Sequence, residues 1–420
     1  MLDRKLLRKE PQRVTEAAAA KNEKIDIQQW LDADRSKREL MLRIEALRKQ
    51  RNTLSKAVSM KKRNGEDAED EMQKSRATGA ELTSLESAVS EFNIRLAEME
   101  LSFPNIPDSD VPVGTDENNI VVRSWGTVPE FSFQPKPHWD LMSEVFLPEA
   151  AGKIAGSNFI LFRGWAARLQ RILISWMLDY HTQSGMDEVW APFVAKPESM
   201  TTTAQLPKMD DDMYKIGRDN LFLVPTGEVP ITNLYRDQLL EEADLPVKLC
   251  GYTPCFRREA GSYGKDNRGL NRVHQFEKVE MVRIEHPERS EQAHLELLNH
   301  ATGMLEVLGI PYRVLLLATG DLSFAAAKCY DIEIWSAGQE KWLEVSSVSN
   351  FRDFQARRGN MKFKPAGGGK PRLVHTLNGS GLALPRLIIS LVENGQQPDG
   401  SIILPKAIAE RMGTDVIRPV

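Results

Sequence analysis

A stretch without glycine or proline, from Gln28 to Arg63, constrains the fold of this chain most strongly. Its seam positions recur at alternating spacings of four and three, and a second stretch beyond Asn64-Gly65 repeats that spacing. These positions are Leu40, Ile44, Leu47, Arg51, Leu54 and Val58, then Leu82, Leu85, Val89, Phe92, Leu96 and Met99. Such spacing is typical of two helices packed as a coiled coil. Because the connection is short and polar, we predict an antiparallel hairpin with arms of about thirty residues, on the order of 45 Å long.

The first helix of this predicted hairpin is strongly basic, whereas the second is mixed or acidic. The basic residues of the first helix are Arg35, Lys37, Arg38, Arg43, Arg48, Lys49, Arg51, Lys56, Lys61, Lys62 and Arg63. A one-sided basic stripe on a long arm suits binding to a phosphate backbone. A solvated charged face, a spacer or a dimer contact would show the same pattern, so these alternatives stay open for this segment.

The end of the hairpin is also readable from the sequence. The segment from Phe103 to Gly114 contains three prolines and cannot continue a helix. We therefore predict an N-terminal helical arm at 1–101, a linker at 102–115 and a second domain at 116–420.

Composition excludes several classes of protein. A net charge of −4 argues against indiscriminate nucleic-acid binding, so any basic surface must be local. The three cysteines form no Cys-x-x-Cys pair and the seven histidines show no ligand spacing, so we expect neither structural zinc nor a disulfide framework. The first residues lack the apolar stretch of a signal peptide, and no apolar run approaches membrane-spanning length. We expect a cytoplasmic protein.

Two β-favouring segments, Leu249–Phe256 and His274–Ile284, flank a polar, basic stretch that includes Lys265. We predict two antiparallel strands joined by a long, mobile loop. Alternation along the first strand would direct Arg257 and Glu259 to one face and Arg258 to the other.

Alternation along the second strand places Phe276, Lys278 and Glu280 on one face. An arginine can clamp a phosphate or carboxylate, a glutamate can accept from an exocyclic amine, and a phenylalanine offers a stacking surface. The face could therefore hold a nucleotide, or it could be a solvated ladder of cross-strand salt bridges.

Four further segments carry candidate functional groups. Leu161–Gly185 is predicted to be an amphipathic helix, followed by a strand at Glu188–Phe193 that contains Pro192; alone this is ordinary core. Thr226 and Glu228 follow a buried strand and could present a hydroxyl and a carboxylate to an ammonium group, or simply form a polar turn.

Glu344 and Ser346 are expected to share one strand face, with Ser347 at the end of the strand. Hard oxygen ligands of this kind suit Mg²⁺, although a strand glutamate is commonly just solvated. Finally, the segment from His375 to Arg386 is predicted to pass from a strand into a helix that continues to about Asn394. Its Gly379 and Gly381 permit close backbone approach, and the helix N-terminus favours negative charge.

Together, in this order, these segments resemble the seryl-tRNA synthetases of class II. Phe256-Arg-x-Glu259 with the later His274-Gln-Phe-Glu-Lys-Val-Glu280 resembles motif 2 (about 249–284), the predicted helix and strand resemble motif 1 (about 161–193), and the last segment resembles motif 3 (about 375–394). The resemblance implies an α+β fold, with an antiparallel class II sheet flanked by helices and an N-terminal coiled-coil arm. It also implies a homodimer.

The resemblance implies roles for individual residues. Arg257 and Arg386 would be catalytic. Serine would contact Thr226, Gly227, Glu228, Arg257, Glu280, Asn378 and Ser380. ATP would contact Arg257, Arg258, Glu259, Val273, Phe276, Glu344, Val345, Ser346, Ser347 and Arg386, with Mg²⁺ on Glu344 and Ser347. The tRNA would contact Arg43, Arg48, Lys49, Lys56, Lys61, Lys62 and Arg63 of the arm.

The implied reaction joins serine to ATP and then transfers the seryl group to the 3′ end of tRNA-Ser, and by family analogy of tRNA-Sec. Two other functions stay open. A serine-activating ligase that loads a carrier protein would lack the arm, and a non-catalytic paralogue would have lost Arg257, Glu259 or the Thr-x-Glu pair. This chain has all of these features.

Overall fold

A computed structural model describes residues 1–260 and 268–418. The chain divides into two compact units, Met1–Pro104 and Asn105–Val420. Residues 105–115 thus belong to the second unit, and the domain boundaries predicted from the sequence stay predictions. Lys265 lies outside the described residues.

The first unit is helical. Its helices are α1 (Arg4–Lys9), α2 (Pro11–Ala20), α3 (Ile27–Arg63) and α4 (Glu69–Leu101). With 37 residues, α3 is about 55 Å long at 1.5 Å per residue. Ion pairs between α3 and α4 link Arg48 to Glu86 at 2.7 Å and Lys61 to Glu71 at 2.7 Å, so the two helices run antiparallel. The predicted hairpin is confirmed.

The seam predicted from the spacing lies between these helices. Ile44, Leu82 and Leu96 are buried, and the other apolar seam positions are partly buried. Arg51 is exposed, because a charged side chain at a seam position turns its head group to water. At the open end of the hairpin, the Trp30 indole is fully buried and donates to Glu100 at 3.0 Å.

The second unit contains both helices and strands. Its helices are α5 (His138–Leu141), α6 (Pro148–Ala155), α7 (Gly164–Gln183), α8 (Pro197–Thr202), α9 (Glu228–Asn233), α10 (Ser290–Val307), α11 (Phe354–Arg358), α12 (Leu384–Asn394) and α13 (Lys406–Met412). Its strands are β1 (Ile120–Trp125), β2 (Asp187–Glu188), β3 (Val194–Ala195), β4 (Lys215–Ile216), β5 (Leu221–Leu223), β6 (Leu239–Glu241), β7 (Val247–Phe256), β8 (Gln275–Glu285), β9 (Tyr312–Leu316), β10 (Lys328–Ser336), β11 (Lys341–Asn350), β12 (Lys362–Lys364), β13 (Arg372–Leu373), β14 (His375–Ala383), β15 (Ile402–Ile403) and β16 (Val416–Ile417).

Within the described ranges, the main sheet has eight strands in the order β1-β9-β10-β11-β14-β8-β7-β2. Every neighbouring pair is antiparallel except β2 with β7. The predicted pair β7 and β8 is confirmed, with Cys255 opposite Phe276 and Gly251 opposite Glu280. Apolar side chains of α7, α10 and α12 pack with those of the central strands in one core, so the antiparallel sheet flanked by helices is confirmed.

The motif 1 region differs in detail from the prediction. The helix begins at Gly164, three residues later than predicted, and ends at Gln183. The predicted strand at Glu188–Phe193 is wrong over most of its length, because regular pairing with β7 stops at Glu188. Val189 still donates to the carbonyl of Cys250 at 2.7 Å, but Pro192 lacks an amide hydrogen and cannot continue a ladder. Among the described residues, no helix combines the length and apolar character needed to cross a bilayer.

Candidate active site

A cavity of about 390 Å³ lies against strands β8, β11 and β14 of the main sheet. It is also lined by the turn before α9, by the end of β7, and by the residues that lead into β8. Thirteen of the sequence-predicted residues line it: Thr226, Glu228, Arg257, Glu259, Val273, Phe276, Glu344, Val345, Ser346, Ser347, Asn378, Ser380 and Arg386. Residues far apart in the chain are therefore brought to one site, as the resemblance implied.

At one end of the cavity, the Glu280 carboxylate lies fully buried beneath the lining. It accepts from the Thr226 hydroxyl at 2.7 Å, pairs with the Lys278 ammonium at 2.5 Å and accepts from Asn378 at 3.3 Å. Lys278 also donates to the Thr226 hydroxyl at 2.9 Å. Each buried polar group of this cluster thus has a partner, which buried charges require.

Glu228 lies beside this cluster at the first position of α9 and is 6% exposed. Burial raises the pKa of its carboxyl to about 7. The hydrogen bond from Gln355 lowers this pKa, whereas the nearby Glu280 charge raises it further. The Gln355 amide is fully buried and donates to Glu228 at 2.6 Å. A carboxylate destabilised in this way gains from any cation that enters the cavity.

Arg257 and Phe276 contact each other in the lining of the cavity. The guanidinium carbon lies 5.2 Å from the Phe276 ring centroid, a cation–π contact, and the guanidinium donates to the Pro225 carbonyl at 3.3 Å. One face of the guanidinium is therefore fixed while the group still lines the cavity.

Glu259 reaches the cavity for a different reason from the one predicted. Residues 257–259 lie beyond the end of β7, and Glu259 has φ +50°, so strand alternation does not apply to it. Its carboxylate instead pairs with Arg272 at 3.0 Å. The Arg258 side chain does not line the cavity, and its backbone amide donates to the Asp212 carbonyl at 2.8 Å.

The predicted metal-binding pair lies in β11, where a bulge changes the alternation. Ile332 faces Ser346 and Glu333 faces Glu344, so Val345 is the extra residue. The bulge brings Glu344 and Ser347, three residues apart, within 3.1 Å of each other. Ser346 instead donates to the Ser380 carbonyl at 2.7 Å. The expectation that Ser347 ends the strand is wrong, since β11 continues to Asn350.

Arg386 joins this group from the first turn of α12. Its guanidinium donates to the Glu344 carbonyl at 2.6 Å and pairs with the Glu344 carboxylate at 3.2 Å. Although burial acts in the opposite direction, the Arg386 charge and the Ser347 hydroxyl keep the pKa of Glu344 below its usual value. Burial and the Glu344 charge raise the pKa of the nearby Asp331 well above its usual value.

A second carboxyl close to Glu344 and a serine hydroxyl form a set of hard oxygen donors that suits Mg²⁺. Within residues 1–260 and 268–418, no group of three His, Cys, Asp or Glu side chains forms a protein-only metal cage. The set therefore fits an ion that takes its other ligands from water and a bound phosphate group.

Two predicted serine-site residues lie behind the cavity lining. Glu280 acts through Thr226, Lys278 and Asn378, as described above. Gly227 packs directly on it, and a Cβ at Gly227 would lie 2.9 Å from the Glu280 Cβ. The glycine therefore permits the turn to sit tightly on the buried carboxylate.

Sequence reasoning assigned no role to several residues of the site. Lys278 lies on the same face of β8 as Phe276 and Glu280. The alternation of these three residues in the sequence could therefore have identified Lys278 as a residue of the site. Gln355 lies in α11, and Thr203 and Gln205 lie at and after the end of α8; no local pattern connects these residues with Glu228. Leu270, Asn271 and Arg272 line the cavity from the irregular segment before β8.

The seven predicted arm residues divide into two groups. Arg43, Arg48 and Lys61 form ion pairs with Glu81, Glu86 and Glu71 of α4. Lys49, Lys56, Lys62 and Arg63 carry exposed side chains.

A sheet of this topology, with one arginine at the end of β7 and another at the start of the helix after β14, defines the catalytic domain of a class II aminoacyl-tRNA synthetase. Residues 213–395 match the tRNA synthetase class II core domain (G, H, P, S and T). Residues 1–107 match the seryl-tRNA synthetase N-terminal domain.

Whole-chain comparisons specify the family. A serine–tRNA ligase from Nitratidesulfovibrio vulgaris (strain Hildenborough) is 47% identical over 419 residues, covering 98% of each chain. One from Thermomicrobium roseum is 47% identical over 417 residues, covering 98% of this chain and 94% of the relative. The crystal structure of seryl-tRNA synthetase from Pyrococcus horikoshii complexed with ATP superposes with a TM-score of 0.94 at 33% identity, over 100% of both chains. The chain belongs to the seryl-tRNA synthetase family.

Proposed function

We propose that this chain activates L-serine with ATP and transfers the seryl group to the 3′ end of tRNA-Ser, and also of tRNA-Sec. Family membership supports the reaction. The single observation that supports this site is that one cavity is lined by Glu228, with Glu280 buried beneath it, and by two arginines, Arg257 and Arg386. An amino acid and a triphosphate need opposite charges of this kind.

In the proposed complex, Glu228 and Thr226 hold the serine ammonium group, and the cluster around Glu280 receives the serine hydroxyl. Glu280 retains acceptor capacity, since a carboxylate has about four lone-pair sites and three donors from residues 1–260 and 268–418 reach it. Asn378 and Ser380 complete the pocket. An amino acid without a hydroxyl would leave these groups unpaired, whereas an extra methyl group must be excluded by shape.

The proposed first step is attack of a serine carboxylate oxygen on the α-phosphorus of ATP. A new P–O bond forms as the bond to pyrophosphate breaks, and pyrophosphate leaves with its charge. Arg257 bridges the serine carboxylate and the α-phosphate, while Arg386 neutralises the leaving group. The adenine stacks on Phe276 near Val273, and Glu259 accepts from its amine. Catalysis then comes from positioning and charge stabilisation, without a side-chain nucleophile.

Glu344 and Ser347 would hold Mg²⁺, with Asp331 near them, and Val345 and Ser346 would form the adjoining wall of the ATP site. When bound, the ion would neutralise part of the negative charge of the ATP phosphates. Arg386 is already fixed on Glu344, so the same carboxylate would orient both the ion and the arginine that faces the leaving group.

The arm is proposed to bind the tRNA through its exposed basic residues. Lys49, Lys56, Lys62 and Arg63 are directly available, whereas Arg43, Arg48 and Lys61 would exchange their partners on α4 for phosphates. The cytoplasmic location stays a prediction from the sequence.

We also propose a homodimer that covers the β2 edge of the main sheet. Trp190 is 75% exposed there and lies within 6.1 Å of the Phe193 ring and 6.3 Å of the Tyr252 ring. An exposed tryptophan packed on half-buried aromatic rings beside a short edge strand is a common interface feature.

The test is ATP–pyrophosphate exchange with each of the twenty amino acids, in the presence of Mg²⁺ and without tRNA. Exchange with serine alone is expected. Exchange with another amino acid would contradict the substrate, and exchange with none would favour a non-catalytic RNA-binding protein. Transfer to tRNA-Ser, compared with transfer to a carrier protein, then tests the acceptor.

A further inference from the structure

The segment 268–273 belongs to no helix or strand, and its residues 270–273 line the cavity. Contacts with neighbouring side chains help to fix its position. Leu270 is 1% exposed, and its backbone amide donates to Nε2 of His138 at 3.0 Å. Asn271 donates to the Gln339 side chain at 2.8 Å. The Arg268 guanidinium carbon lies 4.5 Å from the Trp139 ring centroid.

Gly269 shows how closely this segment approaches His138. Its φ is +70°, and a Cβ built on it would lie 2.2 Å from His138 Nε2. Only a glycine fits this position, because both the backbone angle and the contact exclude a side chain.

His138 in turn is held by Glu393, and both side chains are fully buried. The imidazole Nδ1 lies 2.8 Å from Glu393 Oε1. Because Nε2 accepts from the Leu270 amide, it carries no proton, and the ring proton must be on Nδ1, facing the carboxylate. The ring is therefore neutral and has one defined orientation.

The Glu393 carboxylate is the centre of this network. It accepts from four donors: the backbone amide and Nδ1 of His138, the hydroxyl of Ser336 and the amide of Gly338. Gln339 donates to the Ser336 hydroxyl at 2.9 Å. Two routes thus lead from Glu393 to the cavity segment, one through His138 to Leu270 and one through Ser336 and Gln339 to Asn271.

Glu393 also belongs to α12, the helix whose first turn carries Arg386. The two residues are seven positions apart, which corresponds to about 10 Å of helix axis. The network therefore connects the arginine side of the cavity with the segment that supplies Asn271, Arg272 and Val273.

We propose that His138 and Glu393 are positioning residues that hold the segment 268–273 against α12 and so set the shape of the nucleotide half of the cavity. The inference rests on the proposed use of this cavity for ATP. Neither residue lines the cavity. Their buried polar network costs desolvation that apolar packing of the same volume would avoid, and a positioning role explains why both routes reach the same segment.

The test compares His138→Asn with His138→Gln in the full-length protein. Asparagine can keep the donor to Glu393 but has no acceptor near Leu270, whereas glutamine can place an acceptor there. ATP binding is measured by calorimetry without serine, and hydrogen exchange is measured for the peptide that contains Leu270. We expect His138→Asn to weaken ATP binding about tenfold, the usual effect of losing one buried hydrogen bond, and to speed exchange. His138→Gln should restore most of both.

Gln339→Leu tests the second route in a partly exposed residue and keeps the experiment informative if His138→Asn does not fold. Gln339→Leu should also weaken ATP binding, but by less than His138→Asn does. His300→Asn is the matched control, because His300 pairs with His181 at 2.8 Å and does not line the cavity. It should change thermal stability without changing ATP affinity.

Several outcomes overturn the proposal. Equal ATP affinity in wild type, His138→Asn and Gln339→Leu would mean that the network only packs the fold. Equal losses in His138→Asn and His138→Gln would contradict the role of the Leu270 contact. A wild-type protein that binds no ATP would instead refute the proposed function. In that case, unchanged hydrogen exchange at Leu270 in His138→Asn would still separately refute the positioning role of His138.

Discussion

Serine binding is expected to depend on pH through Glu228. Burial raises the pKa of this carboxyl to about 7, and the proposed complex needs it ionised to hold the serine ammonium group. A group with a raised carboxyl pKa is protonated below that pKa, so the binding-competent fraction of the free enzyme falls as the pH falls through 7.

The size of the effect follows from that fraction. With a pKa of about 7, roughly one molecule in eleven is ionised at pH 6, about half at pH 7 and about nine-tenths at pH 8. The apparent KM for serine should therefore rise about tenfold between pH 8 and pH 6, since affinity scales with the competent fraction. The kcat should change little, because bound serine carries the positive charge that favours the ionised carboxylate.

The assay is serine-dependent ATP–pyrophosphate exchange at saturating ATP, with KM measured at half-unit steps from pH 6 to pH 8.5. The control is Glu228→Gln, which keeps the shape and a partner for Gln355 but cannot ionise. Its KM for serine should be about tenfold to a hundredfold higher at high pH, as for a lost hydrogen bond to a charged group, and its profile should be flatter.

Two results would refute this reasoning. A KM for serine that stays constant from pH 6 to pH 8 in the wild type would mean that Glu228 is already ionised or does not contact the substrate. The same slope in wild type and Glu228→Gln would assign the pH dependence to another group.

Three further predictions concern the rest of the site and the arm. Glu280→Ala should abolish serine activation and lower the free energy of unfolding by about 3–5 kcal/mol, because it leaves the buried Lys278 ammonium uncompensated; unchanged exchange activity or an unchanged melting temperature would contradict the assigned role. Ser347→Ala should raise the Mg²⁺ concentration needed for half-maximal exchange while the KM for serine stays constant, and an unchanged Mg²⁺ requirement would remove Ser347 from the metal site. Lys56→Glu combined with Lys62→Glu should weaken aminoacylation of tRNA and reduce its salt dependence, with amino-acid-dependent exchange as the internal control; equal aminoacylation by variant and wild type would show that these lysines do not contact tRNA.

The predictions that the structure confirms follow from local patterns in the sequence. The seam of α3 and α4 was predictable because a helix repeats its contacts every three and four residues, and the run from Leu40 to Val58 shows this directly. Strands β7 and β8 were predictable because alternating residues such as Phe276, Lys278 and Glu280 share a face.

Predictions failed where the backbone departs from its repeat. Glu344 was expected to share a strand face with Ser346, and Ser347 was expected to end the strand, but the bulge at Val345 brings Ser347 to Glu344 instead. Strand pairing was also extended too far beyond Glu188, since the length of an edge strand depends on its neighbour. One extra residue changes which side chains share a face, and no propensity scale records it.

The sequence by itself determined the arm, the long strands β7 and β8 and the chemical types of residue at the site, because these follow from periodicity and from side-chain chemistry. Only the tertiary structure decided which polar groups meet. Gln355 contacts Glu228 across 127 positions, and His138 contacts Glu393 across 255. Such contacts form because burial leaves each polar group in need of a partner, and the partner is whichever group the packed sheet and helices bring within reach.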